Sequence, residues 1–342
     1  MIPAPGPLNL ITDVSGLGVG HAEGIDQLTG VTVLLPEQPA IAAIDQRGGA
    51  PGTRETDVLT LENTIDVIHA LVFAGGSAFG LESATGVQRW LFEQDRGFPI
   101  GDTHVPIVPC AVIFDLFVNG DDSNHVACDY RAMGIAACEK VNRSFSLGNA
   151  GAGLGAIAGE VKGGTGSASL YDPRTGFTVG ALVIVNSVGS AIIPGTQTLW
   201  AWPFEQQGEL GQQPTPSLPN DLEPQFPHDF GPASNTTLVA VATDAPLSSS
   251  QVKRMAIMAQ DGLARALRPV HAPQDGDTIF ALSTTGAVHS GAPIKIEVLS
   301  RMGALGADCT TRAIARAVFE AESAGIAMSY RDRFGAAISN DI

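Results

Sequence analysis

The sequence predicts an α/β fold, and three observations carry that expectation. Short apolar runs of strand length alternate with segments whose apolar residues recur at helical spacing. Hydrophobic residues make up 44% of the chain and charged residues only 16%, which suits a large core over 342 residues. The 40 glycines mark many places where the backbone must turn tightly or pack closely.

Taken in order, Leu8–Ile11, Leu17–His21 and Gly30–Leu35 read as short strands between glycine turns, and Ala40–Ile44 as another. That last run leads into Asp45–Asp57, a polar, glycine-rich segment that suits a cleft-lining loop or a plain surface loop. Ile65–Phe73 is apolar and ends at Ala74-Gly75-Gly76-Ser77-Ala78-Phe79-Gly80, where glycines let a strand turn into a helix over residues 81–95. Leu81, Ala84, Val87 and Leu91 form one face of that helix. The turn is not a Walker loop, because no Gly-Lys-Ser/Thr follows. A nucleophile elbow would need glycine two residues after Ser77, and Phe79 stands there.

Val105–Phe117 reads as a strand segment with Phe114 and Asp115 at its end, followed by a helix over residues 124–141. Gly151–Ala156 matches GxGxxA, but Asn142–Ser146 before it is not an apolar strand. Close backbone approach explains it better than a dinucleotide site. Val161–Ser169, which includes Lys162, reads as another glycine-rich turn. Phe177–Val185 alternates as a strand and delivers Asn186, whose amide suits a turn or a donor to a developing oxyanion.

Residues 203–234 change character. Gln, Pro and acidic residues dominate and no period survives, the mark of a linker or mobile loop. It ends at Asn235. Thr236 then opens a strand with Leu238, Ala240 and Ala242 on one face and Val239 and Val241 on the other. Ser248 or Ser249 caps a helix that stops before Pro269 and turns Val252, Met255, Ala256, Ala259, Leu263 and Leu267 inward. Gln274-Asp275-Gly276-Asp277-Thr278 precedes a strand, Ile279–Thr284, and alternation puts Asp275 and Asp277 on one face. They form an acidic turn, or a pair able to position an amine and shift its pKa. An amphipathic helix over residues 303–325 closes the pattern. The seven histidines are scattered, His271 and His289 read as ordinary loop residues, and no His/Cys cluster has metal spacing.

The most informative point is Thr236, a hydroxyl residue at a loop-to-strand junction where a chain break costs little core. It either simply opens a buried strand or is a nucleophile unmasked by cleavage after Asn235. A threonine hydroxyl is weak alone, but a free α-amine on the same residue titrates near ~8 and can serve as its base.

Composition excludes several classes. A net charge of −16 argues against nucleic acid and against an anionic membrane surface. No apolar run reaches the ~18 residues of a spanning helix, and the first residues lack a signal-peptide pattern. Cys110, Cys128, Cys138 and Cys309 form no CxxC pair and read as reduced, mostly buried thiols of a cytoplasmic protein.

Several segments together carry a resemblance: Arg47–Asp57, Ala74–Leu81, Gly151-Ala152-Gly153, Asn235-Thr236-Thr237, Ala242–Leu247 and Asp275-Gly276-Asp277-Thr278. Over roughly residues 8–325 the chain resembles the self-processing aminopeptidases of the L-aminopeptidase/D-esterase and β-aminopeptidase type. It looks most like the endo-type 6-aminohexanoate-oligomer hydrolases. The resemblance implies an N-terminal-nucleophile-like αββα sandwich forming a single domain over residues 1–342. It also implies cleavage between Asn235 and Thr236, giving an α chain of residues 1–235, with 203–234 as linker, and a β chain of residues 236–342. It implies Thr236 as nucleophile, Asp275 and Asp277 as its tuning pair, and Asn186 at the oxyanion. No metal or organic cofactor is implied. The expected substrates are short peptides, β-peptides or ω-amino-acid oligomers, and the expected assembly is a homo-oligomer, a tetramer of αβ units being one form.

Two positions depart from the oligomer hydrolases. Phe114 stands where they have tyrosine, and Glu160 where they have lysine, with Lys162 two residues on as its candidate replacement. Two other functions stay open at this stage. An ornithine-type acyl transferase would keep a self-cleaving threonine on a comparable fold, and an inactive binding homologue would keep the fold alone.

Overall fold

Two β-sheets lie face to face between two pairs of helices in the computed structural model of the protein. It describes residues 2–120, 128–216, 223, 226, 235–288 and 294–335. The first half contains β1 (Leu17–Gly24), β2 (Thr29–Pro36), β3 (Ala40–Gln46), β4 (Thr53–Arg54), β5 (Val67–Ile68), β6 (Leu71–Ala74), α1 (Ser83–Glu93), β7 (Phe98–Ile100), β8 (Thr103–Val105), β9 (Cys110–Val112) and α2 (Tyr130–Glu139). The second contains β10 (Ile157–Ala158), β11 (Val161–Lys162), β12 (Gly164–Asp172), β13 (Phe177–Asn186), β14 (Thr236–Thr243), α3 (Ser249–Ala266), β15 (Thr278–Ser283), α4 (Ile296–Glu320) and α5 (Tyr330–Phe334).

One sheet has the order β1-β2-β6-β9-β4 and the other β12-β13-β14-β15-β3-β5. Three apolar layers hold the stack. Val31, Val33 and Val72 meet Ala84, Val87 and Leu91 of α1 on the outer face of the first sheet. Leu34 and Phe73 meet Leu182, Leu238 and Phe280 between the sheets. Val179, Val239 and Val241 meet Met255, Ala259, Cys309 and Ala313 of α3 and α4 on the far face. β14 shows the predicted alternation: Leu238, Ala240 and Ala242 enter the inter-sheet layer, and Val239 and Val241 the helix layer. Buried on both faces, this strand reads as a continuous apolar run from Leu238 to Ala242. Among the described residues no helix is long and apolar enough to cross a membrane.

The differences from the sequence reading have physical causes. Leu8–Ile11 is not a strand; a 3-10 turn spans Ile11–Asp13, and Asp13 accepts the Leu8 backbone N–H at 3.1 Å. The run Ile65–Phe73 splits, with β5 joining one sheet and β6 the other. In Val105–Phe117 only Cys110–Val112 belongs to a named strand besides Val105, because Pro106 and Pro109 remove ladder donors. Val161–Ser169 is no turn; it forms β11 and most of β12. Its glycines serve packing: a Cβ on Gly166 would lie 2.0 Å from the Ala313 carbonyl of α4. Helix α2 starts at Tyr130, with Asp129 accepting the Ala132 N–H at 2.9 Å. The predicted helix start at 124 lies outside the described residues, as do His289 and most of 217–234. The described start of the expected linker is irregular yet anchored. Leu210 is fully buried, and Glu209 takes the buried Arg312 guanidinium at 2.5 and 2.8 Å.

Candidate active site

Four elements converge on the junction at Thr236. Strand β13 ends at Asn186, which lies directly across the ladder from Thr236, the first residue of β14. Alongside runs the loop before β15, where Asn235 bridges Asp275 in parallel. Gly276 N–H donates to the Asn235 carbonyl at 3.0 Å, and the Thr236 hydroxyl donates to that same carbonyl. The acyl group between Asn235 and Thr236 is thus held by a backbone donor on one side and touched by the hydroxyl on the other. Asn235 and Thr236 are both buried.

The acidic loop is held from below by the glycine-rich segment after β3. Arg47 and Gly48 donate backbone N–H groups to the Asp277 carbonyl at 3.0 and 3.1 Å, and Ala50 donates to Asp275 O at 2.8 Å. A Cβ on Gly48 would sit 2.3 Å from Asp277 N, so glycine is what lets the two backbones meet. The segment expected to line a cleft thus forms the bed of the acidic loop.

Asp275 and Asp277 are each 1% exposed. Asp277 Oδ1 accepts the Thr237 N–H at 2.9 Å, while Oδ2 accepts His271 N at 2.8 Å and its ring Nδ1 at 2.9 Å. Asp275 Oδ1 accepts Val188 N at 3.2 Å. Burial, and then the charge of Asp277, push Asp275 up to about 7. A carboxyl that gains and loses its proton near neutrality suits proton transfer.

Asn186 joins the junction to a second polar group. Its Oδ1 accepts Ile157 N at 2.8 Å and its Nδ2 donates to Phe114 O at 3.0 Å. Lys162 lies opposite Ile157 in the β10–β11 ribbon. Its buried ammonium donates to Gly153 O and Gly163 O, both at 3.0 Å. Asp115 is its charge partner, and accepts Gly76 N at 2.6 Å and the Thr29 hydroxyl at 2.8 Å. Burial pulls Lys162 down to about 7 and lifts Asp115 to about 6, each partly offset by the other. Glu160 faces outward and pairs with Arg333 at 2.5 Å, so Lys162 takes the inward place in this turn. Beside Asn235 opens a narrow cleft lined by Phe114, Asp115, Phe117, Ile157, Asn186 and Ile326.

Of the residues expected from sequence, Thr236, Asn235, Asn186, Asp275 and Asp277 meet at one junction, and Lys162 stands one strand pair away. His271, Gly276 and Asp115 were not marked as functional residues. Gly276 had a signal in sequence, a glycine between two acids. His271 had none, because its link to Asp277 depends on a left-handed backbone, φ 57°, that no motif announces.

Residues 9–329 match the sequence profile of peptidase family S58. An uncharacterized aminopeptidase of Mycobacterium tuberculosis is 41% identical over 350 residues, covering 97% of this chain and 100% of the relative. A 6-aminohexanoate-oligomer endohydrolase of Agromyces sp. is 31% identical over 277 residues, covering 80% of this chain and 74% of the relative. Among solved structures, a Burkholderia sp. beta-aminopeptidase aligns with a TM-score of 0.71 at 24% identity, covering 97% of this chain and 93% of that one. The L-aminopeptidase D-Ala-esterase/amidase of Ochrobactrum anthropi, a variant of the Ntn hydrolase fold, aligns at 0.69 and 24%, covering 94% and 89%. The layer order found here is that fold, and with the profile spanning nearly its whole length the chain belongs to peptidase family S58.

Proposed function

We propose that this chain is a self-processing hydrolase of peptide or amide bonds whose nucleophile is the Thr236 hydroxyl, freed at a new N-terminus by cleavage after Asn235. One observation carries the reading: the Asn235 carbonyl receives both the Gly276 N–H and the Thr236 hydroxyl. Attack by Oγ on that carbon puts negative charge on the oxygen that Gly276 already faces. The C–N bond then breaks, the nitrogen takes a proton, and an ester remains between Asn235 and Thr236 Oγ. Water cleaves the ester, leaving an Asn235 carboxylate and a free Thr236 amine.

In the mature enzyme the amine, or Asp275, takes the Oγ proton as Oγ attacks a substrate amide. The amine product leaves, and water releases the acyl group as an acid. Asn186 supplies an amide near the oxyanion, and Lys162 with Asp115 sets the charge behind the cleft. Membership in a peptidase family supports amide chemistry. The aminopeptidase and oligomer-hydrolase names of relatives support short peptides, β-peptides or ω-amino-acid oligomers as substrates.

Intact mass and a denaturing gel test the reading. Cleavage after Asn235 leaves 107 residues (342 − 235), about 11 kDa of the 35.3 kDa chain, with Thr236 first. The wild type should show this fragment and release amines from 6-aminohexanoate oligomers, β-peptides or aminoacyl amides. Thr236→Ala should stay whole and inactive, and Thr236→Ser should regain part of both. A Thr236→Ala protein that still cleaves itself or still hydrolyses amides defeats the proposal, as does a wild type that remains whole.

A further inference from the structure

The acidic pair beside Thr236 is not symmetric. Asp277 accepts three hydrogen bonds, two of them on Oδ2 from the single residue His271. Asp275 accepts the Val188 N–H at 3.2 Å and a further contribution from the Ala272 backbone. Two buried carboxyls that feel each other's charge do not both ionise easily, and the one with more donors keeps the charge. A carboxylate only accepts, so the His271 Nδ1 facing it carries the ring proton. The left-handed φ of 57° turns the backbone N–H and the ring of His271 onto one oxygen. A non-glycine residue pays strain for that geometry.

We propose that His271 is a positioning residue that fixes Asp277 as the anion of the pair and leaves Asp275 to carry the proton during attack by Thr236. This rests on Thr236 being the nucleophile. The charges of Arg47, Lys253 and Lys162 point elsewhere. Arg47 offers its backbone N–H, but its guanidinium turns to Asp45, as does Lys253 from α3. Lys162 is engaged by carbonyls and Asp115 beyond Asn186. The Thr236 amine is a cation that cleavage adds beside the pair.

Two variants separate the ring from the backbone. His271→Gly keeps the left-handed conformation and removes the ring, whereas His271→Asn keeps a side-chain donor and tolerates that conformation. The readouts are the pH dependence of maturation half-time and of kcat/KM. In H271G the acid limb should shift by about 1 pH unit, because losing one hydrogen bond to the charged group changes how the pair shares its proton. In H271N it should stay near the wild type. An H271G enzyme that matures and hydrolyses with the wild-type acid limb overturns the inference and leaves the Thr236 reading standing. So does an H271N limb that moves as far as that of H271G. A third measurement needs no turnover: ring ¹⁵N shifts in the T236A precursor should report the Nδ1–H tautomer for His271, and an Nε2–H tautomer overturns the inference.

Discussion

Gly276→Ala should uncouple folding from maturation. Gly276 is not among the glycines with a left-handed φ, so alanine fits its backbone. The obstacle is local. A Cβ there would lie 2.6 Å from Thr236 Oγ, closer than real Cβ atoms approach, and 3.0 Å from the Ala50 carbonyl oxygen, a tight contact that a shift of a few tenths of an ångström relieves. The hydroxyl has an easy escape by rotating about χ1, but that rotation takes it off the Asn235 carbonyl. If the loop moves instead, the 3.0 Å bond from Gly276 N–H to that carbonyl is lost. A misplacement of about 1 Å costs on the order of 10²-fold in rate, and loss of one oxyanion donor about 10²–10³-fold. Either escape raises the barrier by at least about 2.7 kcal/mol. The assay is the half-time of the 11-kDa fragment on a gel after rapid purification, with thermal unfolding to verify the fold. A melting temperature near that of the T236A precursor and maturation slowed about 100-fold or more are expected. Maturation within about threefold of the wild type would refute the assignment of Gly276 N–H and Thr236 Oγ to the scissile carbonyl.

Two further predictions concern charge. Asp275 rises to about 7 from an ordinary 3.8, by burial first and Asp277 second. Folded, it holds its proton to about 7; unfolded, it loses it near 4. Stability should therefore fall as pH rises through that window, and urea midpoints of T236A and T236A/D275N from pH 4 to 8 should differ in slope, steeper with Asp275 present. Lys162 is the mirror case, lowered from 10.5 to about 7 by burial. Between those values the unfolded chain binds the extra proton, so stability should rise with pH from about 7 to about 10, a rise that Lys162→Met lacks. Because its ammonium bonds Gly153 and Gly163, K162M should slow maturation by less than about tenfold, well short of Gly276→Ala.

The parts of the fold legible in sequence were those where one physical rule acts alone. Alternation in β14, the Ser248 cap with Gln251 accepting the Ser248 N–H at 3.1 Å, and the apolar face of α3 follow from period and capping. Readings failed where tertiary packing overrode a local cue. Glycine in Val161–Ser169 suggested a turn, but Gly163, Gly164 and Gly166 sit where carbonyls of β13 and α4 press against the strand. The glycines at 151–153 did mean close approach: a Cβ on Gly151 would lie 2.3 Å from Thr32 Oγ. At the site, residue types pointed to Thr236 and the two acids, which the fold brings together at one junction. His271, bonded to Asp277, and Asp115, facing Lys162, come from loops and strand ends that only the folded chain brings together.

The same topology bears on how a cut at Asn235 could be tolerated. β14 pairs with β13 from Asn186↔Thr236 to Val179↔Thr243, and β15 pairs with β3 from Thr278↔Gln46 to Ser283↔Ile41. Strands from before the junction therefore flank the β14–β15 pair on both sides, in the order β13-β14-β15-β3. Breaking one amide at the start of β14 removes no ladder bond between the two pieces. Separating them would strip β14 from β13 and β15 from β3, and expose the inter-sheet layer that Leu238, Ala240 and Phe280 fill. At roughly 1.5–3 kcal/mol for each large apolar side chain re-exposed, the pieces have no cheap route apart. A cut there would act on the junction alone: a new amine on Thr236 would stay within one residue of the Thr237 N–H that Asp277 holds, and β14 would keep its register.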